Sequence, residues 1–304
     1  MRRAISLVLP ILGLCSILFI PGDAASQVGD DFHLRTNVIF KEVIEKGISI
    51  SDKQTLKLPA PTMADGLDKA GQTKVLLKLA GEDYALEDLV RDSVVAPHIY
   101  KFRDLNAEAA DGRGRGVDLW FVAYGNIDLL QATTLQGQFG GGRNKITQLK
   151  EADLMRRNIK VKAEAGLEEN FAHVVGPILD RVQVSSMNHG MISRTKESMV
   201  LAARLDTRFV KDAEFPNQWR SITFQDNGKE LLGPPQPYEG AGMYIKLTRL
   251  HEPAGAVFVE FHQAFVEPKK WFDAPNMLKS KLPIVIQSDV RTFRKDLGKL
   301  KPKS

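Results

Sequence analysis

The sequence contains a single cysteine, Cys15, among its 304 residues. This cysteine lies in an apolar run, residues 4–20, that follows the basic residues Arg2 and Arg3. If the run is removed on export, the remaining chain forms no disulfide and offers no thiol nucleophile. A chain of this length buries enough apolar surface to fold without a disulfide. The scarcity of cysteine therefore excludes thiol chemistry and cysteine-ligated metal centres.

A second long apolar run is also missing, because no other stretch reaches the roughly 20 residues that span a membrane. The first run ends at the turn formed by Pro21 and Gly22 and is followed by small residues. This is the anatomy of a secretory signal peptide. We therefore expect residues 1–25 to be a signal peptide, cleaved after Ala24 or Ala25.

Two alternatives to a cleaved signal peptide remain open, a retained signal anchor and a lipid-modified Cys15. Lipidation requires a small residue before the cysteine, whereas this chain has Leu14 there. The expected product is exported through the general secretory route to the periplasm or the cell exterior, with no transmembrane span in the mature chain.

Charge of one sign is not in large excess, since 42 Lys and Arg face 37 Asp and Glu, for a formal net charge of +5. This balance permits contact with an anionic surface but does not indicate nucleic-acid binding. The partner candidates are a lipid, a glycan or an envelope protein.

The usual cofactor and nucleophile motifs are missing as well. Three glycines, residues 140–142, precede Lys145, but Ile146 stands where a phosphate-binding loop requires Ser or Thr. No Gly-x-Ser-x-Gly elbow occurs. Ser193 and Lys196 resemble the Ser-x-x-Lys motif of penicillin-recognising serine enzymes, yet on a strand they would point to opposite faces. We expect no cofactor.

The first part of the chain predicts helices. Thr62 is an N-cap candidate for a helix that ends at Gly81, and apolar residues at helical spacing predict a second helix over 86–94. Residues 26–96 are therefore expected to form a helical N-terminal extension.

From His98 onward the apolar period changes to two, which is typical of strands. The predicted turns lie at 111–116 and 188–190, and a short helix is expected within 150–158. The predicted strands are 98–105, 117–125, 180–186, 198–206, 219–224, 243–250 and 256–265. The last two form a hairpin, because they alternate and are separated by Pro and Gly.

The C-terminus returns to a helical period, with Pro283 at its predicted start. The apolar stripe consists of Ile286, Val290, Phe293, Leu297 and Leu300. The predicted fold class is α+β: a curved antiparallel β-sheet packed by a long C-terminal amphipathic helix, with N-terminal helices. Residues 97–304 hold the sheet and the helix, continuous with the extension.

This order of sheet and final helix resembles, in topology alone, the helix-grip architecture of START-like lipid-binding domains. The resemblance implies an apolar pocket between sheet and helix. The lining candidates are Leu247, Val259, Phe261 and Val290. A filled hydrophobic core explains the same four residues and remains open.

The catalytic candidates are Glu260 and His262, which lie two residues apart and so share one face of a predicted strand. A carboxylate and an imidazole together can serve as general acid and base. Two ligands are too few for a zinc site, and we predict no metal site.

The leading hypothesis is an exported non-enzymatic protein, either an envelope-associated binding module or a structural component. The alternative is an envelope-directed hydrolase acting on glycan or lipid. A third reading follows from the basic residues of the last helix, which would hold the protein at a membrane surface. These residues are Arg291, Arg294, Lys295 and Lys299. Cations are also favoured near any helix C-terminus, which explains them without a ligand.

Overall fold

The computed structural model describes residues 32–51, 54–109, 112–130, 144–161, 167–272 and 276–300. The predicted signal peptide and the glycines at 140–142 lie outside these residues. The fold is α+β, as predicted: a large antiparallel sheet, a long C-terminal helix and a few short N-terminal helices.

The described residues form thirteen strands, of which eleven make up the main sheet, and every pairing in that sheet is antiparallel. The strands are β1 (Ile48–Ser51), β2 (Gln54–Leu56), β3 (Ile99–Ala109), β4 (Gly112–Tyr124), β5 (Lys145–Gln148), β6 (Leu167–Ile178), β7 (Val182–Arg194), β8 (Ser198–Leu205), β9 (Gln218–Phe224), β10 (Glu230–Leu232), β11 (Gln236–Pro237), β12 (Ala241–Arg249) and β13 (Ala256–Pro268). Their order is β10-β9-β7-β8-β12-β13-β4-β3; β11 pairs with β9, and β6 joins β5 to β7. Strands β1 and β2 form a separate hairpin.

The helices are short except for the last one. They are α1 (Phe32–Thr36), α2 (Val38–Lys41), α3 (Lys69–Ala80), α4 (Leu86–Leu89), α5 (Glu151–Met155) and α6 (Met277–Gly298). A π-helical turn, Glu42–Lys46, follows α2 directly. Helix α5 confirms the short helix expected within 150–158.

Alternation along the central strands gives the sheet two different faces. On β13, Val259 and Phe261 pack against α6, whereas Glu260 and His262 point to the opposite side. We call the first side the helix face and the second the N-terminal face. The predicted β12–β13 hairpin is confirmed, because its two runs pair along their length.

Helix α6 covers the helix face with one apolar stripe. Phe293 of the helix meets Phe121 of β4 edge-on, with ring centroids 5.4 Å apart. The helix begins at Met277, so Pro283 lies inside it and not at its start as predicted. Leu278 and Leu282 extend the buried stripe. Burying each is worth about 1.5–3 kcal/mol, which together offset the roughly 3 kcal/mol cost of an interior proline.

The described N-terminal residues, 32–96, cover the other face with short helices and the β1–β2 hairpin. Phe40 of α2 packs edge-on against Tyr244 of β12, with ring centroids 5.0 Å apart. Further along the same face, Leu76 and Leu89 pack near Trp120. The sheet is therefore buried on both sides at its centre.

The predicted turn at 111–116 is wrong for its described residues, because residues 112–116 continue β4 between β3 and β13. The glycines serve close packing, since a Cβ at Gly112 would overlap the Val266 side chain. The arginines between them, Arg113 and Arg115, both bond to the buried Glu267 of β13. Pairing with distant strands outweighs the local turn signal.

The predicted turn at 188–190 is also wrong, because these residues lie within β7 and the chain turns at 195–197 instead. Gly190 makes room for Asn170 of β6, whose amide oxygen would lie 2.9 Å from a Cβ there. The His189 ring stacks on Phe171 at 4.3 Å. Cross-strand contacts again explain residues that resemble a turn.

The predicted N-terminal helices are shorter than expected. Helix α3 begins at Lys69 rather than after Thr62, and its N-cap is Asp68, which accepts a hydrogen bond from the Gly71 N–H at 2.8 Å. Helix α4 ends after a single turn at Leu89. The backbone N–H of Thr62 is bonded to the sheet instead, as described below.

Replacing Asp68 with alanine is expected to lower the free energy of unfolding by about 1 kcal/mol, because the first turn of α3 loses its side-chain cap. Urea denaturation measures this change. Asp83→Ala, an exposed acid just after the same helix, is the control and should change stability by less than about 0.5 kcal/mol. Equal losses in the two variants would contradict the capping role.

Candidate functional site

Glu260 and His262 lie side by side on the N-terminal face of β13, beneath a segment that is neither helix nor strand. We call this segment, residues 59–66, the strap. It connects the β1–β2 hairpin with α3. The side chains of Glu260 and His262 are 0% and 1% exposed. The strap therefore closes both candidates off from solvent.

The Glu260 carboxylate fastens the strap to the sheet. Its two oxygens accept the backbone N–H groups of Thr62 at 2.6 Å and Met63 at 3.0 Å. The indole N–H of Trp120, on the neighbouring strand, donates to the Thr62 hydroxyl at 3.0 Å. Because the strap has no strand partner of its own, these bonds satisfy backbone donors that would otherwise be buried without one.

Lys246 of β12 also binds the strap, and its side chain is 1% exposed. Its ammonium donates to the Met63 carbonyl at 2.9 Å and lies 2.9 Å from the Asp65 carboxylate. The Tyr244 hydroxyl donates to the Pro59 carbonyl at 2.9 Å. Side chains of β12 and β13 thus bind successive groups along the strap.

His262 is oriented by an acid and lies close to a second one. Its Nδ1 lies 2.8 Å from Asp118 Oδ1 on β4, and its Nε2 lies 3.8 Å from Glu260 Oε2. Arg103 of β3 contacts both oxygens of Asp118, at 2.9 and 2.7 Å. The result is a row of alternating charges across three strands.

The neighbours in this row determine its protonation. Burial alone would raise the pKa of Asp118, but the hydrogen bond and charge of His262, together with Arg103, hold that pKa below its ordinary value. Burial alone would lower the pKa of His262, but Asp118 and Glu260 outweigh it and raise the pKa. Each shift favours the charged form of its group, the carboxylate of Asp118 and the imidazolium of His262.

A second buried histidine, His33, connects α1 to the ends of strands β7 and β8. Its Nδ1 lies 2.7 Å from the Ser193 hydroxyl, and its Nε2 lies 2.7 Å from the Ser198 hydroxyl and 3.6 Å from Asp65. A catalytic triad places the serine and the acid on opposite ring nitrogens. Ser193 and Asp65 do lie on opposite ring nitrogens of His33, but Asp65 is 3.6 Å away, beyond hydrogen-bond distance, and the Ser198 hydroxyl is bonded to that nitrogen instead. The group is therefore not arranged as a triad.

The chemistry open to the main cluster is limited by access. An acid-oriented imidazole is the arrangement of a general base. In the described part of the chain, however, Nε2 of His262 has no hydrogen-bond partner and lies 3.8 Å from Glu260. Any substrate would have to displace the strap to reach it. The cluster binds the strap.

The four lining candidates of the predicted apolar pocket lie together on the helix side. Leu247, Val259, Phe261 and Val290 all belong to the buried core between the sheet and α6. Val290 also borders a cavity at the edge of that helix, which is described below. As ligand-lining residues the four remain a prediction.

Sequence reasoning missed Lys246, Asp118 and the strap. A local signal did exist for Lys246, which lies between Ile245 and Leu247 in an alternating strand and opposite Glu260 in the β12–β13 register. Asp118 lies opposite His262 in the β13–β4 register, but that register is visible only in the fold.

The described residues offer neither a metal-binding cluster nor a membrane-spanning helix. They contain no group of three or more His, Cys, Asp and Glu side chains placed to hold a metal ion. Across the same ranges, no helix is both long and apolar enough to cross a membrane. The chain matches no known protein family, and no curated protein shows significant similarity to it.

Proposed function

We propose that this chain is an exported protein of the cell envelope that acts by binding or as a structural component, without catalysing a reaction. One observation carries the proposal: the best acid–base candidates, Glu260 and His262, are closed off beneath the strap and are 0% and 1% exposed. General acid–base catalysis requires a side chain within hydrogen-bond reach of the substrate.

The contacts of these residues support a structural role for them. Both Glu260 oxygens are used by the backbone N–H groups of Thr62 and Met63. Exposing Glu260 would leave those donors and the Lys246 ammonium without their present partners. Each unmade buried hydrogen bond costs about 1–3 kcal/mol, so opening the strap is expensive.

The alternative is an envelope-directed hydrolase acting on glycan or lipid. The specific observation in its favour is the contact between His262 Nδ1 and Asp118 at 2.8 Å, which leaves Nε2 without a hydrogen bond in the described residues. This alternative requires the strap to move away in the working state.

Turnover assays separate the two functions. The mature chain and its Glu260→Gln variant would be incubated with glycan and lipid extracts of the envelope, and released products followed by mass spectrometry. We expect no turnover by either protein. Turnover that Glu260→Gln abolishes while circular dichroism stays unchanged would establish the hydrolase. Turnover that survives in the variant would also overturn the proposal, because residues other than Glu260 would then catalyse the reaction. Glu230→Gln, on exposed strand β10, is the matched control.

Export has a separate test. The protein isolated from its own cells is expected to begin at Ala25 or Ser26, because cleavage after Ala24 or Ala25 fits the small residues there. Intact-mass measurement of the envelope and soluble fractions reads this directly. A chain that still carries residues 1–24 in the soluble fraction would contradict export.

A further inference from the structure

A cavity of about 490 Å³ lies at one edge of the molecule, between α6 and the segment that runs from α4 into β3. Its charged lining residues are Arg91, Arg291, Arg294 and Asp88. His98 and Tyr100, at the start of β3, also line it. The only acid in this lining, Asp88, pairs with Arg91 at 3.2 Å. Two guanidinium groups are therefore left without a balancing acid.

Arg294 is the more unusual of the two, because it is 6% exposed and has no carboxylate partner within the described ranges. It donates to the backbone carbonyls of Val122, Ala96 and Pro97, at 2.8, 2.5 and 2.8 Å, and to that of Val94 at 3.5 Å. Burial lowers its pKa to about 10. Carbonyl dipoles stabilise the cation but do not neutralise it, and buried charges are normally paired. A net positive charge thus remains at the cavity wall.

His98, Tyr100 and Arg291 define the electrostatic character of the cavity. Burial lowers the pKa of His98, and the charges of Arg294 and Arg291 lower it further. The hydroxyl oxygen of Tyr100 is buried and, among the described residues, has no hydrogen-bond partner. Arg291 is exposed on α6 and makes no ion pair in that part of the chain. The cavity therefore combines excess positive charge with a free hydroxyl.

Apolar side chains stand at the same cavity. Val94 and Val95 are 45% and 59% exposed, and Tyr84 is 39% exposed. All three belong to its lining. Grouped at one cavity, these three side chains offer apolar contact area to a ligand. Apolar side chains beside unpaired arginines match a ligand that carries an anionic group on an apolar body.

We propose that this cavity binds the phosphate group of an acidic phospholipid, with Arg291 and Tyr100 facing the anion and Val94 and Val95 contacting its apolar part. Arg294, whose nitrogens are bonded to backbone carbonyls, supplies positive charge at the cavity wall. This inference rests on the proposed binding function and specifies its ligand. Arginine is well suited to phosphate, because its planar guanidinium presents several donors at once. The basic stripe of the last helix thereby contributes a defined site and not only a soluble face.

The test compares binding of the mature chain to three probes: phosphatidylcholine vesicles, vesicles that also contain phosphatidylglycerol, and inorganic phosphate. We expect binding to the phosphatidylglycerol vesicles alone, weakening as salt is raised. Arg291→Gln should weaken it about tenfold, and Arg291→Lys should recover only part of that loss, because lysine keeps the charge but not the planar set of donors. Arg291 is exposed, so its replacement should leave the fold intact.

Lys281→Gln is the matched control, because it removes the same charge from an exposed position of the same helix outside the cavity. Its effect should be below about twofold, on the same affinity scale. Equal weakening by Lys281→Gln and Arg291→Gln would overturn the site in favour of diffuse attraction. Inorganic phosphate that competes as strongly as the vesicles would overturn the assignment to a lipid. No vesicle binding at all would overturn the inference.

His98, which lines the cavity, provides a second test of anion binding there. Bound anion should offset the charges of Arg291 and Arg294, so the pKa of His98 should rise in an NMR titration with short-chain phosphatidylglycerol. Absence of that rise despite vesicle binding would place the contact elsewhere. These outcomes are independent of the turnover assay, so a failed lipid site and a failed non-enzymatic proposal can be told apart.

Discussion

Glu260→Ala is expected to lower the free energy of unfolding by about 3–5 kcal/mol, the usual cost of removing one member of a buried charge cluster. The variant leaves the N–H groups of Thr62 and Met63 buried without an acceptor. It also removes the negative charge nearest Nε2 of His262, at 3.8 Å. Because a typical domain is stable by about 5–15 kcal/mol in total, this one change should bring the protein close to unfolding.

Chemical denaturation at neutral pH measures that loss. Glu230→Ala, on exposed strand β10, serves as the control and should cost less than about 0.5 kcal/mol. A cost below about 1 kcal/mol for Glu260→Ala would contradict the fastening role, since even one unmade buried hydrogen bond costs that much.

Amide hydrogen exchange reports the same contact locally. Thr62 and Met63 lie outside any helix or strand, yet their N–H groups should exchange slowly in the wild type because they donate to Glu260. Under conditions in which Glu260→Ala remains folded, these two amides should lose protection while those of the β12–β13 hairpin keep it. Fast exchange of both amides in the wild type would show that the strap opens readily, as the hydrolase alternative requires.

The parts of the fold that sequence patterns predicted are those formed by neighbours in the chain. The β12–β13 hairpin follows from two alternating runs with a short connection, and α6 follows from one apolar stripe. The turn predictions at 112–116 and 188–190 were wrong because the strand partners of these residues lie far away in sequence. Gly112, for example, faces Val266 on another strand. Local turn preference is weaker than such strand pairing.

The candidate site was likewise predictable only where it depends on residues close together in sequence. The spacing of Glu260 and His262 correctly places both on one face of a strand. What the two side chains touch depends on contacts across 198 residues to Thr62 and across 144 residues to Asp118. No period or motif encodes those contacts. Sequence could therefore nominate the pair but could not reveal that the strap closes it off.

Asp289→Asn is expected to stabilise the protein at alkaline pH and to have little effect at pH 4. Asp289 lies on the face of α6 that packs on the sheet and is 8% exposed. Within the described residues, no hydrogen bond or ion pair holds its carboxylate. Burial raises the pKa of Asp289 from 3.8 to about 7. The folded state therefore prefers the neutral acid, which asparagine imitates.

The pH dependence of the stability difference between wild type and Asp289→Asn follows from proton linkage. Because the folded pKa is above the unfolded value, the neutral carboxyl favours folding at low pH, and this advantage is lost as pH rises from about 4 to about 7. A shift of that size corresponds to about 4 kcal/mol. The wild type should thus lose roughly that much stability, relative to Asp289→Asn, across this window, and the difference should stay constant above it.

Parallel urea titrations of both proteins from pH 4 to pH 9 measure the difference. Asp296→Asn, on the same helix but 30% exposed and paired with Lys299, controls for the loss of one negative charge. A constant difference between wild type and Asp289→Asn at every pH would mean that folding does not shift the pKa of Asp289, which would contradict the prediction. A difference that grows with pH would show that α6 keeps an uncompensated acid against the core, whose ionisation loosens the helix from the sheet.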